Sequence, residues 1–349
     1  PRALSPLFSS SLQSITGEFI PLKKMATFNN IEISLESELT DGAISFDRLE
    51  QITDNFSQER KLGTAEPRRV YKGILEDGGV VAVKKHKANA PGTHNREAYI
   101  TKVTSLMELN HKNIARLLAF CYEKRDGTTQ HLGRPRITKN IETLLCYEYV
   151  HKGSLEKNLF DDTDSNLDWD TRFKIIKGIS EGVQYLHNLP DAIIHLDINP
   201  QNILLDHNNV PKITNFLNSR LVNKNKTRVD TVTAMGSMGY RAPENLSRGQ
   251  ISKRVDIFSL GLIILQITTR VKNCPIVDQE YAETYIDSVT DQWCDEDEIN
   301  QRIMTEYPDL PDDNRDQLRR CIQIGLDCVH TTQDKRPKID EIVKTLNGQ

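Results

Sequence analysis

The chain has 349 residues, of which 37% are hydrophobic and 27% are charged, and its formal net charge is −4 at pH 7. This length allows one large domain or two moderate ones, and the composition is ordinary for a globular protein. The weak negative charge gives no electrostatic reason to expect nucleic acid or an anionic membrane as a partner.

Cysteine spacing and hydropathy exclude further classes of protein. The six cysteines form no C-x-x-C pair and no His/Cys cluster at zinc spacing, so we expect free thiols in a reducing cytosol. The longest apolar run, residues 257–268, is too short to span a membrane and predicts a buried helix. No secretory signal opens the chain, so the sequence predicts a cytoplasmic protein without a membrane span.

The first elements follow a segment without clear structure. Residues 1–40 lack sustained periodicity, so we expect a poorly ordered leader over residues 1–44, in which residues 31–35 alternate briefly as a short strand would. Apolar residues then recur at helical spacing over residues 46–57 and predict a helix. The β-branched runs that flank Asp77-Gly78-Gly79 predict a β-hairpin.

The next segments alternate between helix and strand. Residues 96–110 have a helical pattern, and residues 114–122 predict a strand. The polar stretch 123–142 is longer than an ordinary connection and predicts either a disordered insertion or a partner-binding loop. After the apolar strand 144–150, apolar residues at intervals of three or four predict a long core helix over about residues 167–186.

The stretch from Ile193 to Asp206 is the strongest candidate for a site. Asp197 and Asn202 stand five residues apart between apolar pairs that would anchor a loop in a core. A carboxylate can accept a hydroxyl proton, and an amide oxygen can reach a metal ion, so a short loop can aim both groups at one point.

These stretches resemble the motifs of protein kinases, in particular plant receptor-like serine/threonine kinases. Residues 195–202 resemble the catalytic loop H-R-D-x-x-x-x-N, with Leu196 in place of the arginine, a pattern termed non-RD. Residues 46–57 resemble the family's lead-in segment, and Ala242-Pro243-Glu244 matches the A-P-E that ends its activation segment. The resemblance covers residues 46–346.

The resemblance implies an α+β, bilobal fold with a β-rich N-lobe that has one main helix and a larger, mostly helical C-lobe. It divides the chain into the leader 1–44, an N-lobe with lead-in helix and hinge at 45–150, and a C-lobe at 151–349. It also implies ATP as cofactor, with Mg or Mn.

Individual roles follow from the same resemblance. Lys84 in V-A-V-K would be the phosphate-binding lysine, Asp197 the catalytic base, and Asn202 a catalytic-loop metal ligand. The remaining implied nucleotide-binding positions are Leu62, Gly63, Val70, Ala82, Tyr147, Glu148, Val150 and Leu204. The implied structural positions are Glu244, Asp256 and Arg336. Of these, Glu244 and Arg336 are expected to form an ion pair.

The chain departs from the family where metal and phosphate are handled. Asn215-Phe216-Leu217 stands in place of D-F-G, so Asn215 is a degenerate metal position without the carboxylate that holds magnesium. Of the glycine-rich loop only Gly63 remains, because Ala65 and Arg68 replace glycines. Asn199 replaces the usual lysine.

A further departure lies in the helix at residues 96–110. Lys102 occupies the place of the glutamate that would pair with Lys84. Two ammonium groups at ~4 Å and an effective dielectric of ~20 repel by about 4 kcal/mol. We therefore expect the helix to swing outward or Lys102 to turn to solvent.

The pattern of departures leads to one hypothesis and two alternatives. The hypothesis is a pseudokinase with weak ATP binding and an impaired Mg or Mn site, which acts as a regulatory or scaffolding module in signalling such as innate immunity. Its partners would be other protein kinases or receptor complexes, reached at the inner face of the plasma membrane. The first alternative is a weakly active ATP-dependent Ser/Thr kinase that uses Lys84, Asp197 and Asn202. The second is a switch that binds ATP without transfer.

Overall fold

The computed structural model describes residues 42–63, 69–90, 93–131, 134–161, 167–223, 229–230, 236–273, 281–293 and 296–349. Most of the expected leader, including the short strand proposed over residues 31–35, lies outside these residues. Ala65 and Arg68 of the glycine-rich loop lie outside them as well.

The N-lobe is built on a four-stranded antiparallel sheet in the order β1-β2-β4-β3. Its strands are β1 (Val70–Ile74), β2 (Val80–Lys85), β3 (Leu117–His131) and β4 (Arg134–Glu148). The predicted β1–β2 hairpin is formed, and its turn is fixed by the Gly79 amide, which donates to the Asp77 carboxylate at 2.8 Å. Helix α2 (Arg96–Met107) packs on this lobe through the buried side chains of Tyr99, Val103 and Leu106.

The expectation of a loop over residues 123–142 is wrong. Strands β3 and β4 continue through it as one long hairpin, paired from Tyr122 opposite Thr143 to His131 opposite Arg134. Each strand satisfies the backbone groups of the other, so polar side chains do not prevent the pairing. The stretch has the polarity of a loop because the hairpin extends past β2, and Ile137 there is 78% exposed.

The lead-in helix is shorter than the spacing predicted. Helix α1 (Phe46–Ile52) begins at Ser45, whose hydroxyl caps the amide of Arg48 at 3.2 Å. It ends before three consecutive residues at positive φ, the last of them Phe56 at 54°. This left-handed turn brings Phe56 back onto Phe46, with ring centroids 5.5 Å apart. Phe56 also packs on Tyr71 of β1, with ring centroids 5.3 Å apart, so the turn after the helix contacts the sheet.

The C-lobe is mostly helical, as predicted. Its helices are α3 (Leu155–Phe160), α4 (Trp169–Asn188), α5 (Pro243–Arg248), α6 (Lys253–Thr269), α7 (Tyr281–Trp293), α8 (Glu296–Glu306), α9 (Asp312–Cys328) and α10 (Ile339–Leu346). Helix α6 is buried from Val255 to Thr269, which confirms the prediction of a buried helix there. It approaches α9 so closely that a Cβ on Gly261 would lie 2.9 Å from the carbonyl oxygen of Gly325.

Three short antiparallel strand pairs support the segments between these helices. They are β5 (Asp191–Ile194) with β8 (Arg220–Asn223), β6 (Ile203–Leu205) with β7 (Pro211–Ile213), and β9 (Val229–Asp230) with β10 (Gln250–Ile251). The bilobal α+β architecture is thus confirmed. Across the described ranges, no helix combines the length and apolar character that a membrane span needs.

The predicted ion pair between Glu244 and Arg336 is formed. The guanidinium donates to both carboxylate oxygens of Glu244, at 2.7 and 2.8 Å, across 92 residues of sequence. Arg336 is almost fully buried, and its remaining donors reach backbone carbonyls, including that of His330 at 2.7 Å. Because every partner is in place, the buried charge is compensated and ties the end of the activation segment to the last helices.

Removal of this guanidinium should destabilise the C-lobe strongly. In Arg336→Ala, the mostly buried Glu244 carboxylate loses its partner, so we expect the free energy of unfolding to fall by about 3–5 kcal/mol. Urea unfolding measures the change. The matched control is Lys112→Ala, which breaks a 2.8 Å ion pair with Glu181 whose lysine is 66% exposed. That control should cost less than ~1 kcal/mol; an equal loss in both variants would contradict the argument.

Candidate functional site

The loop that carries Asp197 is held by a buried carboxylate below it. Asp256, in the first turn of α6, is fully buried and accepts the backbone amides of His195 at 2.8 Å and Leu196 at 2.9 Å. It also contacts Nε2 of the buried His187 at 3.0 Å. Leu196 sits at a φ of 65°, which costs energy for a residue with a branched side chain. The two hydrogen bonds from these backbone amides to Asp256 offset the strain and hold the loop in place.

His195 connects the loop to the segment that carries Asn215. Its Nδ1 accepts the amide of Asp197 at 3.2 Å, so the ring proton is on Nε2, which donates to the carbonyl of Thr214 at 2.9 Å. Burial lowers the pKa of His195, consistent with a neutral ring in this arrangement. The Phe216 ring packs on the imidazole at 4.8 Å between centroids. The two candidate segments therefore have a fixed relative position.

The three residues predicted to carry catalysis converge on Asn215. The side-chain amide nitrogen of Asn215 donates to Asp197 Oδ2 at 3.1 Å and to Asn202 Oδ1 at 3.2 Å. Its amide oxygen accepts a hydrogen bond from the ammonium of Lys84. The NH₂ group of Asn215 thus lies between the two oxygens that could hold a metal.

This geometry does not fit a divalent cation. Mg²⁺ requires oxygen ligands at about 2.0–2.1 Å. Here the space between Asp197 and Asn202 is faced by the hydrogen atoms of an amide, which carry partial positive charge. Among the described residues, no group of three or more His, Cys, Asp or Glu side chains could hold a metal ion.

The second oxygen of Asp197 is occupied by the activation segment and by Asn199. Oδ1 accepts the backbone amide of Ser237 at 2.8 Å, the Ser237 hydroxyl at 2.7 Å and the Asn199 amide at 2.9 Å. Close contact here requires Gly236, because a Cβ at that position would lie 2.2 Å from the carbonyl oxygen of Leu196. Sequence reasoning did not place Ser237 in the site. The signal available was a glycine next to a hydroxyl residue just before A-P-E.

Asn199 supports the loop from within. Its amide oxygen accepts the backbone amides of Gln201 at 3.0 Å and Asn202 at 3.1 Å, so it caps the short 3₁₀ turn Pro200–Asn202. The replacement of lysine by asparagine therefore removes a positive charge and adds a local cap.

The positions predicted to bind the nucleotide base differ in exposure. Val70, Ala82 and Leu204 are half-buried, although the residues on either side of Ala82 and Leu204 are fully buried. Leu62 is half-buried too, Gly63 is exposed, and Tyr147 and Val150 are buried. These positions remain predictions, and the half-buried apolar residues come from both lobes.

The side chain of Glu148 has a structural contact of its own. Its carboxylate accepts the backbone amide of Arg116 at 2.9 Å and forms a 2.9 Å ion pair with Lys212. Both side chains of the pair are 12% exposed. The pair joins the end of β4 to β7, three residues before Asn215.

Of the two outcomes expected for the helix at residues 96–110, the one in which Lys102 turns to solvent is wrong. Its ammonium donates to the carbonyls of Leu217 at 2.5 Å and Ser219 at 3.0 Å, so helix α2 is fastened to the segment after Asn215. Burial, and next the charge of Arg220, lower the pKa of Lys102 to about 8. The two carbonyls provide acceptors that the sequence could not reveal.

Stability should depend on the titration of Lys102. Its ordinary pKa is 10.5 and its folded pKa is about 8, so the unfolded chain binds more protons between pH 8 and 10.5. The contribution of Lys102 to the free energy of unfolding therefore rises with pH across that window. Urea unfolding measures the free energy of unfolding of wild type and of Lys102→Met. The value for wild type minus the value for the variant should increase from pH 8 to 10.5. A difference that is constant with pH would contradict the buried position of the ammonium.

Comparison with known proteins agrees with this architecture. The protein kinase domain family matches residues 56–346. Cysteine-rich receptor-like protein kinase 1 of Arabidopsis thaliana is 35% identical over 309 residues, which cover 87% of this chain and 46% of that protein. Cysteine-rich receptor-like protein kinase 44 of the same plant is 33% identical over 87% of this chain and 76% of its own length.

A third relative is similar to this chain over a comparable range. Receptor-like serine/threonine-protein kinase SD1-7 of Arabidopsis thaliana is 32% identical over 316 residues, which cover 88% of this chain and 34% of that protein. The chain thus spans about a third to about half of the length of two of these three relatives.

Proposed function

This chain belongs to the protein kinase family, as a domain of the receptor-like kinase type, and we propose that it is a pseudokinase acting as a regulatory or scaffolding module in signalling. Protein kinase domains bind ATP, usually with Mg²⁺ or Mn²⁺. The proposal is that ATP binding here is weak and that the metal-dependent transfer step has been lost.

The position of the Asn215 amide carries the proposal. Phosphoryl transfer depends on positioning and on neutralisation of charge by metal ions. With an NH₂ group directed at Asp197 and Asn202, the site opposes the cation that would bridge the phosphates. A loss of ~4 kcal/mol of transition-state stabilisation slows a reaction about a thousandfold.

Several contacts hold in place the parts of the domain that a partner would bind. The Asp256 contacts, the Glu244–Arg336 pair and the Lys102 contacts hold the catalytic loop, the activation segment and helix α2 together. A rigid kinase-like surface suits binding to other protein kinases or receptor complexes. We place this role on the cytoplasmic side of the plasma membrane, reached through those partners.

One observation favours the alternative of a weakly active Ser/Thr kinase. Asp197 Oδ1 accepts the hydroxyl of Ser237 at 2.7 Å, so the carboxylate is placed to accept a hydroxyl proton. Lys84 and Asn202 also remain in contact with Asn215. This alternative requires Asn215 to move away from the two oxygens.

A transfer assay distinguishes the two functions. Purified chain is incubated with labelled ATP and Mg²⁺ or Mn²⁺, with and without a general protein substrate, beside the Asp197→Ala variant. We expect wild type to incorporate no more label than the variant, because the Asn215 NH₂ group opposes a metal ion beside Asp197. An active receptor-like kinase domain serves as positive control. Label that appears with wild type and disappears with Asp197→Ala would establish the kinase instead.

A regulatory role predicts an effect on other kinases that does not need Asp197 chemistry. The chain is added to an active receptor-like kinase domain, and the rate of autophosphorylation of that domain is measured. We expect wild type and Asp197→Ala to change the rate equally, because the effect depends on binding. The control is Arg336→Ala, in which the frame is weakened and the effect should diminish. No change in rate with any partner kinase tested would contradict the regulatory role.

A further inference from the structure

Lys84 decides which way the Asn215 amide faces. The ammonium can only donate, so the amide presents its oxygen to Lys84 and its NH₂ to Asp197 and Asn202. If the amide rotated by half a turn, its oxygen would become available to a cation. Its NH₂ would then face the ammonium, donor against donor, and the two bonds to Asp197 and Asn202 would be lost. The lysine that binds phosphate in active kinases thus also keeps the metal position closed.

The charges around Asn215 also disfavour a divalent cation. Lys84, Asp197, Asn199, Asn202 and Asn215 form one set of contacts that contains one carboxylate and one ammonium. The carboxylate already accepts four hydrogen bonds, from Ser237, Asn199 and Asn215. A divalent cation would have to displace these donors and would gain a single negative charge in return.

Val70 and Ala82 lie on the same face of the sheet as Lys84, the face that meets Asn215 of the C-lobe. Together with Leu204 of the C-lobe they are half-buried apolar positions, and they mark the nucleotide cleft that the family resemblance implies. The ammonium of Lys84 supplies a positive charge that attracts a phosphate group.

We propose that the cleft binds a nucleoside triphosphate as its metal-free anion, and that Mg²⁺ weakens this binding. The inference rests on the proposed pseudokinase function and specifies the ligand of the same site. The free triphosphate carries more negative charge than its Mg²⁺ complex, so it is attracted more strongly to Lys84. The Mg²⁺ complex, in addition, brings positive charge towards the Asn215 NH₂ group.

Calorimetric titration with ATP tests the proposal, first in EDTA and then in excess MgCl₂. Wild type should bind ATP in EDTA, and Mg²⁺ should weaken the affinity by about tenfold. In Asn215→Asp, the carboxylate accepts Lys84 and attracts the cation, so Mg²⁺ should strengthen binding by about tenfold. Asn218→Asp is the matched control. It adds the same charge three residues later, at a side chain that makes none of the contacts described for Asn215. It should behave as wild type does.

The possible results separate the two proposals. Mg²⁺-dependent binding by wild type without phosphoryl transfer would overturn the metal-free inference and leave the pseudokinase proposal standing. Mg²⁺-dependent binding together with transfer would overturn both. Folded wild type that binds no ATP in EDTA would overturn the inference alone. If Asn215→Asp does not fold, the comparison of EDTA and Mg²⁺ in wild type still decides.

Discussion

The buried carboxylate of Asp256 is the contact on which the rest of the site depends. A carboxylate inside a core is costly unless donors surround it, and here two backbone amides and His187 face it. In return, Asp256 holds Leu196 in a left-handed conformation, and the carboxylate of the next residue, Asp197, contacts Asn215. Through His195 and Thr214 the same contact fixes the distance between Asp197 and Asn215.

In this site, Asn199 and Asn215 stand where the family pattern has charged residues. Asn199, Asn202 and Asn215 bond to Asp197 or to one another, so the centre of the site is satisfied by its own donors and acceptors. A network that is complete without ligand is stable in the absence of a metal ion. The proposed loss of metal binding is therefore compatible with a stable fold around an altered site.

In helix α2 of this chain, Lys102 stands where the family pattern has the glutamate that pairs with Lys84. Other contacts join the lobes and the activation segment instead. Lys102 bonds to two backbone carbonyls of the segment, and Glu148 pairs with Lys212 between the end of β4 and β7. The carbonyls accept hydrogen bonds from the ammonium without supplying a countercharge, and burial followed by the charge of Arg220 lowers its pKa. Helix α2 can thus stay close to the segment even though a lysine has replaced the glutamate.

The sequence by itself determined the family and the ion pair of Glu244 with Arg336, because both depend on residue types in recognisable motifs, and it determined the buried helix α6 through a long apolar run. It could not determine that residues 123–131 and 134–142 pair as strands, since polar residues are compatible with a loop and with solvent-exposed strands. It also could not reveal the partners of Lys102, which lie 115 and 117 residues away. Only the tertiary structure decided which end of the Asn215 amide faces Asp197, because that orientation is set by an ammonium brought close from 131 residues earlier in the chain.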